Sequence, residues 1–430
     1  MRAVERREHR AKPRRGVRAV PRPNEFGPTK GNMPERRLRI GVAGLGRAFT
    51  LMLPTLAADP RLELVAAADP RAEATGRFAA DFGARVYASV DDLCADERVE
   101  VVYVATPHQH HAAHAALAAA RGKHTLVEKP MAITLEECRR MVDAAERANV
   151  CLIVGHSHSF DRPILRTREI IEGGTVGRVR MINAQYYTDF LYRPRRPEEL
   201  ATASGGGVVF SQGAHQIDIV RLLGGGHVTS VRALTGAWDP ARPTEGAYAA
   251  LLTFADGAFA SLVYSGYAHF DADEFCSGIG ELGTAKNASA YGAARRNLER
   301  ATNAVEEAAL KQARNYGGAE YRPPGPIAPT APWHEHFGVV LVSCDRADLR
   351  PLPTGVMIYG DGEARQETLA RPAVPRAEVV DELYDAIVQR RPPLHDGRWA
   401  MATLEVCLAI LESARDRREI ALRHQVGLRP

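Results

Sequence analysis

The sequence predicts an α/β chain: a doubly wound parallel sheet, followed by an α+β half built on a mostly antiparallel sheet. Three observations carry this. Short apolar runs alternate with helical patterns from Leu38 to Val154, as strands linked by crossover helices require. A glycine turn, Gly44-Leu45-Gly46, follows the first run directly. Beyond residue 160 the pattern changes to strand-like segments separated by turns, with Asp256-Gly257 as a hairpin signal.

The bulk properties set limits. The 430 residues suggest two or three domains. With 45% hydrophobic and 25% charged residues, the chain is neither a disordered polymer, nor a collagen, nor a coiled coil. It contains no run of apolar residues long enough to span a bilayer, so no membrane partner is expected. Residues 1–32 hold ten Lys/Arg against three acids, a local charge of +7, which leaves −3 for the rest of a chain whose total is +4. The body is slightly acidic, and no nucleic acid is expected as a partner. Residues 1–36 read as a disordered basic tail. Arg6-Arg7 and Arg14-Arg15 resemble twin-arginine pairs, but no apolar segment follows either, so export is not expected. Met33, just ahead of the first strand, is an alternative start. The six cysteines are scattered and form no CxxC pair, which fits a reducing compartment, the cytoplasm, and gives no zinc site.

Residues 37–158 form the first predicted domain. Leu38–Ala43 is a strand, residues 48–58 a helix, and Leu62–Ala68 a second strand ending at Asp69. Strand, glycine turn, helix, strand, acid is the order a dinucleotide site needs. Gly44 permits the tight turn, and Gly46 lets the backbone approach a pyrophosphate. The helix start, with Leu45, Arg47 and Ala48 around it, faces the phosphates. Asp69, 23 residues after Gly46, is placed to accept hydrogen bonds from ribose hydroxyls. Its charge repels a 2′-phosphate and favours NAD over NADP, although Arg71 can offset that repulsion. Phe49 stands at the third glycine position, so helix and strand cannot pack as closely there. The alternation continues through a helix at 73–82, a strand at 99–105 ending in Thr106-Pro107, and a helix at 110–121. A strand at 125–127 then leads into Glu128-Lys129-Pro130, followed by a helix at 135–148 and a strand at 150–154. Lys129 lies just past a strand's carboxyl end, where such sheets place ligands. It is one of only six lysines beside fifty arginines.

The combination Gly44-x-Gly46, Ala105-Thr106-Pro107-x-x-x-His111, Gly122-Lys123-His124 and Glu128-Lys129-Pro130 resembles the glucose–fructose oxidoreductase / inositol dehydrogenase / rhizopine-catabolism (Gfo/Idh/MocA) family. The resemblance runs over about 38–285 and resumes at about 376–420. It implies a Rossmann domain followed by an α+β domain with an open-faced sheet, whose free face makes homodimers or homotetramers. It implies that Lys129 sits near the nicotinamide and hydrogen-bonds the substrate oxygen, after a Lys-Pro bond that is often cis. It also assigns Thr106, Pro107, His111 and Glu128 to the cofactor edge. The family's second signature, Asp-x-Gly-x-His-x-x-Asp, is matched by His215 and Asp218, with Ser211 in place of the first Asp. The resemblance makes His215 the acid/base candidate, and an imidazole suits proton transfer near neutrality. On a helix Ser211 and His215 share a face, and Asp218 can orient the ring. Without the first Asp, Lys129 and His215 share the proton work.

The second half, 159–430, is predicted to hold strands at 178–187, 228–238, 248–254, 258–266, 336–343 and 356–359, covered by a helix at 211–223. Residues 286–332 look inserted: a charged helix over 297–314, then Pro323-Pro324-Gly325-Pro326. They read as a surface excursion, serving as a lid or an oligomer contact. Helices at 376–390 and 398–417 close the chain. In Asp189-Phe190-Leu191-Tyr192-Arg193-Pro194-Arg195-Arg196-Pro197, two prolines hold Arg193, Arg195 and Arg196, whose guanidinium forks suit carboxylates. Tyr192 and its aromatic neighbours supply walls. The histidines at 108, 110, 111 and 114 have no acidic cluster beside them, so no metal is expected; His156 and His158 read as supporting residues of the cleft. This stretch, with Gly205–Asp218, Trp238–Tyr248 and Tyr264-Ser265-Gly266-Tyr267, is similar to the family's phthalate 4,5-cis-dihydrodiol dehydrogenase branch. That implies oxidation of a small carboxylated ring diol by NAD, giving 4,5-dihydroxyphthalate. Rival readings are a sugar or inositol dehydrogenase, an NAD-dependent glycosidase, and a non-catalytic NAD-binding sensor.

Overall fold

The computed structural model describes residues 36–322 and 332–428, so the tail and the Pro323–Pro326 run lie outside the described residues. The first sheet is parallel and contains β1 (Leu38–Ala43), β2 (Leu62–Ala68), β3 (Arg85–Tyr87), β4 (Val101–Val104), β5 (His124–Val127) and β6 (Leu152–Val154). Its order is β3-β2-β1-β4-β5-β6. Strands β1, β2, β4 and β6 are buried almost throughout because helices cover both faces. The helix at Leu135–Ala148 starts with a capping box between Thr134 and Glu137 and ends at Asn149 in a left-handed conformation, a strong start and stop. The strand order reverses between β1 and β4. The crevice at their carboxyl ends is therefore the topological switch point where such sheets bind ligands.

The second sheet contains β7 (Val179–Tyr187), β8 (Val228–Gly236), β9 (Ala247–Phe254), β10 (Phe259–Ser265), β11 (Val339–Cys344), β12 (Ala347–Leu352), β13 (Gly355–Gly360), β14 (Ala364–Thr368) and β15 (Ile420–Ala421). The order is β14-β13-β12-β11-β7-β10-β9-β8-β15, antiparallel except where β10 runs parallel to β7. The inward positions of β9 alternate with exposed ones. One face packs under the helix Ala214–Leu223, whose ten residues are all buried, and under Gly397–Asp416. The helix Ala377–Val388 returns to the first sheet, inserting Val379, Val380 and Leu383 into its core.

Sequence patterning missed β3, β12, β14 and the helices Val90–Ala95 and Arg162–Glu172. Strand β12 alternates, with Leu349 and Pro351 buried, but Pro351 and two charged residues weaken its strand signal, and β14 is an almost fully exposed edge without an apolar alternation. The 297–314 segment is not one helix. It is Ala293–Leu298 and Ala304–Ala313, broken where Asn303 caps the second by accepting from the Val305 and Glu306 N–H groups. Neither helix buries a residue, whereas Tyr316 just beyond them is fully buried against Phe49 and Phe78. Among the described residues no helix is long and apolar enough to cross a membrane, and the six cysteines are unpaired.

Candidate active site

A cleft of about 480 Å³ opens at the carboxyl ends of β1, β4 and β5. At its dinucleotide end Gly44 has φ 93°, and a Cβ there would meet the Ala105 carbonyl oxygen at 2.8 Å. Only glycine suits this turn. Gly46 differs: a Cβ on it would meet nothing in the protein. Gly46 caps the helix Arg47–Ala58, which has neither a side-chain cap nor an acid in its first turn. The first helical N–H groups thus stay open for a phosphate. Asp69 accepts from the Leu45 N–H at 2.8 Å and from Arg71 through its backbone N–H and Nε, each at 2.9 Å, and Nη2 at 3.1 Å. Arg71 Nη2 also donates to the Leu45 carbonyl at 2.8 Å. The acid is fixed beside the glycine turn with a guanidinium lying against it. These residues fit NAD: an open helix start for the pyrophosphate, and beside it a carboxylate held by Leu45 and Arg71. Phe49 fills the third glycine position by packing on Phe78 and Tyr316, with ring centres 5.8 and 5.2 Å away.

At the other end the motif residues converge. The buried His111 ring lies between the Thr106 carbonyl, 2.8 Å from Nε2, and the Pro130 carbonyl, 2.9 Å from Nδ1. It joins the turn containing Thr106 and Pro107 to the Glu128-Lys129-Pro130 loop, in which Lys129–Pro130 is cis. Glu128 accepts from the Tyr103 hydroxyl at 2.6 Å, and burial raises its pKa. Lys129 Nζ donates to the Ser211 carbonyl at 2.8 Å. Burial lowers the Lys129 pKa, with Glu128 and Glu281 opposing. Ser211 lies in a π-helical turn, Val209–Gly213, ahead of the helix that bears His215. It serves Lys129 through its carbonyl oxygen rather than its hydroxyl.

His215 Nδ1 accepts from the His158 backbone N–H at 3.3 Å, so its ring carries its proton on Nε2. Burial, then the charges of Lys129 and His158, push its pKa well below the usual value and keep it neutral. Asp218 does not orient this ring. Its carboxylate accepts from Ser159 (2.5 Å), Trp399 Nε1 (2.6 Å) and Thr403 (2.8 Å). Three residues along the helix, it faces the closing helix Gly397–Asp416, and it knits that helix to the site from behind.

The arginine loop divides. Arg193 and Arg195 line the cleft, whereas Arg196 and Tyr192 do not. Arg196 pairs with Glu198 and Glu199, and Tyr192 lies under the Arg295 guanidinium at 4.0 Å. Arg195 lies 3.5 Å over the Phe190 ring centre and donates to the Phe190 carbonyl at 2.8 Å. Its buried Nε has no hydrogen-bond partner among the described residues, and burial brings its pKa down to about 10. A half-buried guanidinium with an unpaired donor suits an anion.

The sequence reading missed Glu281, Lys311, Arg314, Asn315 and Arg376, all of which line the cleft. They come from distant stretches without a motif, and only folding gathers them. His156, His158, Asp161 and Glu335 bring potential ligand atoms within 4.8 Å of one another, a set able to hold a metal ion. Each already has a partner. Asp161 accepts from His156 and His158 at 3.2 and 2.7 Å, and Arg376 pairs with Glu335 at 3.0 Å.

Residues 38–156 match an oxidoreductase family with an NAD-binding Rossmann fold, and residues 164–286 match the Gfo/Idh/MocA C-terminal domain. The 1-carboxy-3-chloro-3,4-dihydroxycyclohexa-1,5-diene dehydrogenase of Comamonas testosteroni is 49% identical over 379 residues, covering 88% of this chain and 95% of that protein. A crystal structure of a proposed dehydrogenase from Bordetella bronchiseptica RB50 superposes with a TM-score of 0.83 at 43% identity, over 90% of this chain and all of that one. A levoglucosan dehydrogenase in complex with NADH and levoglucosan shares the fold at a TM-score of 0.67 and 19% identity, over 90% of this chain and 99% of that one. A glycine turn ending in an open helix start, a half-buried lysine on the Glu-Lys-Pro loop and a neutral histidine beside it thus occur within two matched domains: the chain belongs to the Gfo/Idh/MocA family of NAD-binding oxidoreductases.

Proposed function

We propose that this enzyme oxidises a cis-dihydrodiol of a carboxylated ring with NAD, the substrate being phthalate 4,5-cis-dihydrodiol and the product 4,5-dihydroxyphthalate. The observation that carries the reading is Arg195, stacked on Phe190 with Nε unpaired, beside Arg193 in the same cleft. A polyol needs acceptors and donors for hydroxyls, whereas guanidiniums match carboxylates. The Comamonas relative, whose name contains a carboxylated cyclohexadiene diol, supports the same substrate class. Arg193 and Arg195 both line the cleft, while Lys311 beside them is paired with Glu199.

When bound, NAD supplies the hydride acceptor at nicotinamide C4. The chain's residues handle the proton. Lys129, its pKa lowered by burial, takes the carbinol proton as a neutral amine. The Ser211 carbonyl fixes its position. His215 donates Nε2–H to the same oxygen, because Nδ1 is already engaged by the His158 N–H. This reverses the division expected from sequence, in which His215 helps remove the proton. Loss of hydride and proton converts the alcohol to a ring ketone, and its enol tautomer is the catechol. Aromatisation favours this direction.

Asp69 makes NAD the preferred cofactor, with NADP disfavoured by charge. We propose that the enzyme is a homodimer or homotetramer, on the strength of Leu234, Leu251 and Phe259 standing 63%, 55% and 48% exposed on the uncovered sheet, and that it works in the cytoplasm, on the strength of its six unpaired cysteines. The test is NADH formation by purified protein with phthalate 4,5-cis-dihydrodiol, myo-inositol or glucose. Turnover of the dihydrodiol alone is expected. Turnover of a polyol instead would overturn the carboxylate reading, and NAD binding without any turnover would leave a sensor.

A further inference from the structure

We infer that residues 304–318 form a strap across the cofactor, in which Asn315 accepts a hydrogen bond from a ribose hydroxyl on the adenosine side and Arg314 faces the pyrophosphate opposite Arg47. The strap is anchored at both ends. On the substrate side, Glu307 accepts from Arg242 Nη1 at 2.7 and 2.9 Å and from the Arg195 backbone N–H at 2.6 Å. Arg242 is nearly fully buried in this pair. Lys311 reaches Glu199. On the dinucleotide side, Tyr316 is fully buried, its hydroxyl donates to Asp81 at 2.6 Å, and its ring packs on Phe49. A Cβ on Gly317 would lie 3.0 Å from the Ala74 Cα, so the backbones touch.

Between the anchors the strap presents idle polar groups. Asn315 Oδ1 is buried without a hydrogen-bond partner among the described residues, although Asn315 lines the cleft. An idle buried acceptor costs free energy unless a ligand donor meets it. Arg314 and Arg47 line the same cleft. They lie close enough that, after burial, Arg314 is the largest cause lowering the Arg47 pKa. No salt bridge engages either of them among the described residues. Two unpaired guanidiniums lining one cleft suit an anion, and Arg47 opens the helix that follows Gly46. The adenosine side is indicated by Arg71, which holds Asp69 and lies 3.4 Å from the Tyr316 carbonyl. Hydroxyl to Asn315 and diphosphate to Arg314 and Arg47 together describe one ligand, the ADP-ribose half of the dinucleotide. The strap also explains why Phe49 replaces a glycine: its ring is the dinucleotide-side anchor's floor.

The inference rests on NAD binding alone and is independent of the substrate reading. NADH binding by fluorescence and ADP-ribose binding by calorimetry test it without turnover. Asn315→Ala is expected to weaken both ligands about three- to tenfold while leaving the melting temperature unchanged. Glu307→Ala is expected to speed NADH release in stopped flow by loosening the far anchor. Wild-type affinity for both ligands in Asn315→Ala would overturn the assignment. Weakened NADH with normal ADP-ribose would also overturn it, by moving Asn315 to the nicotinamide ribose. Unchanged NADH release in Glu307→Ala would overturn the strap.

Discussion

Replacing Arg195 by Met keeps most of the side chain's apolar length over Phe190 and removes its charge and its fork. In the native structure the guanidinium spends Nη2 on the Phe190 carbonyl and leaves Nε without a partner among the described residues. A carboxylate that meets this donor gains a charge-assisted hydrogen bond, worth about 1.5–3 kcal/mol. Removing it should lower kcat/KM for a carboxylated dihydrodiol about ten- to hundredfold, at about tenfold per 1.4 kcal/mol. For the same ring diol without its carboxylate the two proteins should differ little. Arg195→Lys restores charge without the planar fork and should recover only part of the loss. The assay is initial-rate NADH formation on both substrates, with NADH affinity measured separately by fluorescence. An equal loss on the carboxylated and uncarboxylated diols would refute the reasoning, because the damage would then be to the cleft and not to a carboxylate contact. An unchanged rate on both would refute it as directly.

Three further outcomes follow from the same geometry. Gly44→Ala and Gly46→Ala should separate: the first forces a left-handed residue, at roughly 1–2 kcal/mol, against a backbone carbonyl and should lower both melting temperature and NAD affinity, while the second should keep the melting temperature and lose NAD affinity. Equal melting temperatures for the two variants would contradict this. Because burial lowers the Lys129 pKa, the neutral, proton-accepting amine accumulates as pH rises. The kcat/KM should therefore climb with pH and level off below the ordinary lysine range, and Lys129→Met should abolish that limb while NADH still binds; a limb that survives the substitution would remove Lys129 from the proton transfer. Asp69→Ala should bring NADPH affinity up toward that of NADH, whereas Arg71→Ala, by uncovering the Asp69 charge, should weaken NADPH further; opposite signs would place the 2′-position elsewhere.

The dinucleotide half was legible because its determinants are local. A turn at positive φ needs Gly44, an apolar run needs burial, and an acid at the end of β2 lies beside the turn by the register of adjacent parallel strands. The loop bearing Lys129 was equally readable, since it follows β5 directly. The second sheet was read in its apolar strands and missed in β12 and β14, where pairing with a neighbour, not side-chain pattern, makes the strand.

Sequence by itself determined the α/β class and the glycine turn, and set Lys129 just past β5, because each is written in a few consecutive residues. Only the tertiary structure decided the rest. Helical spacing put Asp218 within reach of His215, yet Trp399 and Thr403, some 180 residues further on, claim its carboxylate. Three arginines in one loop looked alike until Glu198 and Glu199 took Arg196 and Phe190 seated Arg195 in the cleft. The His215 tautomer depends on a backbone N–H 57 residues earlier in the chain, and the strap owes its place to Tyr316 finding Phe49. Such contacts join residues distant in sequence, and their energies depend on burial and on which partner arrives first in space. No local pattern encodes that choice.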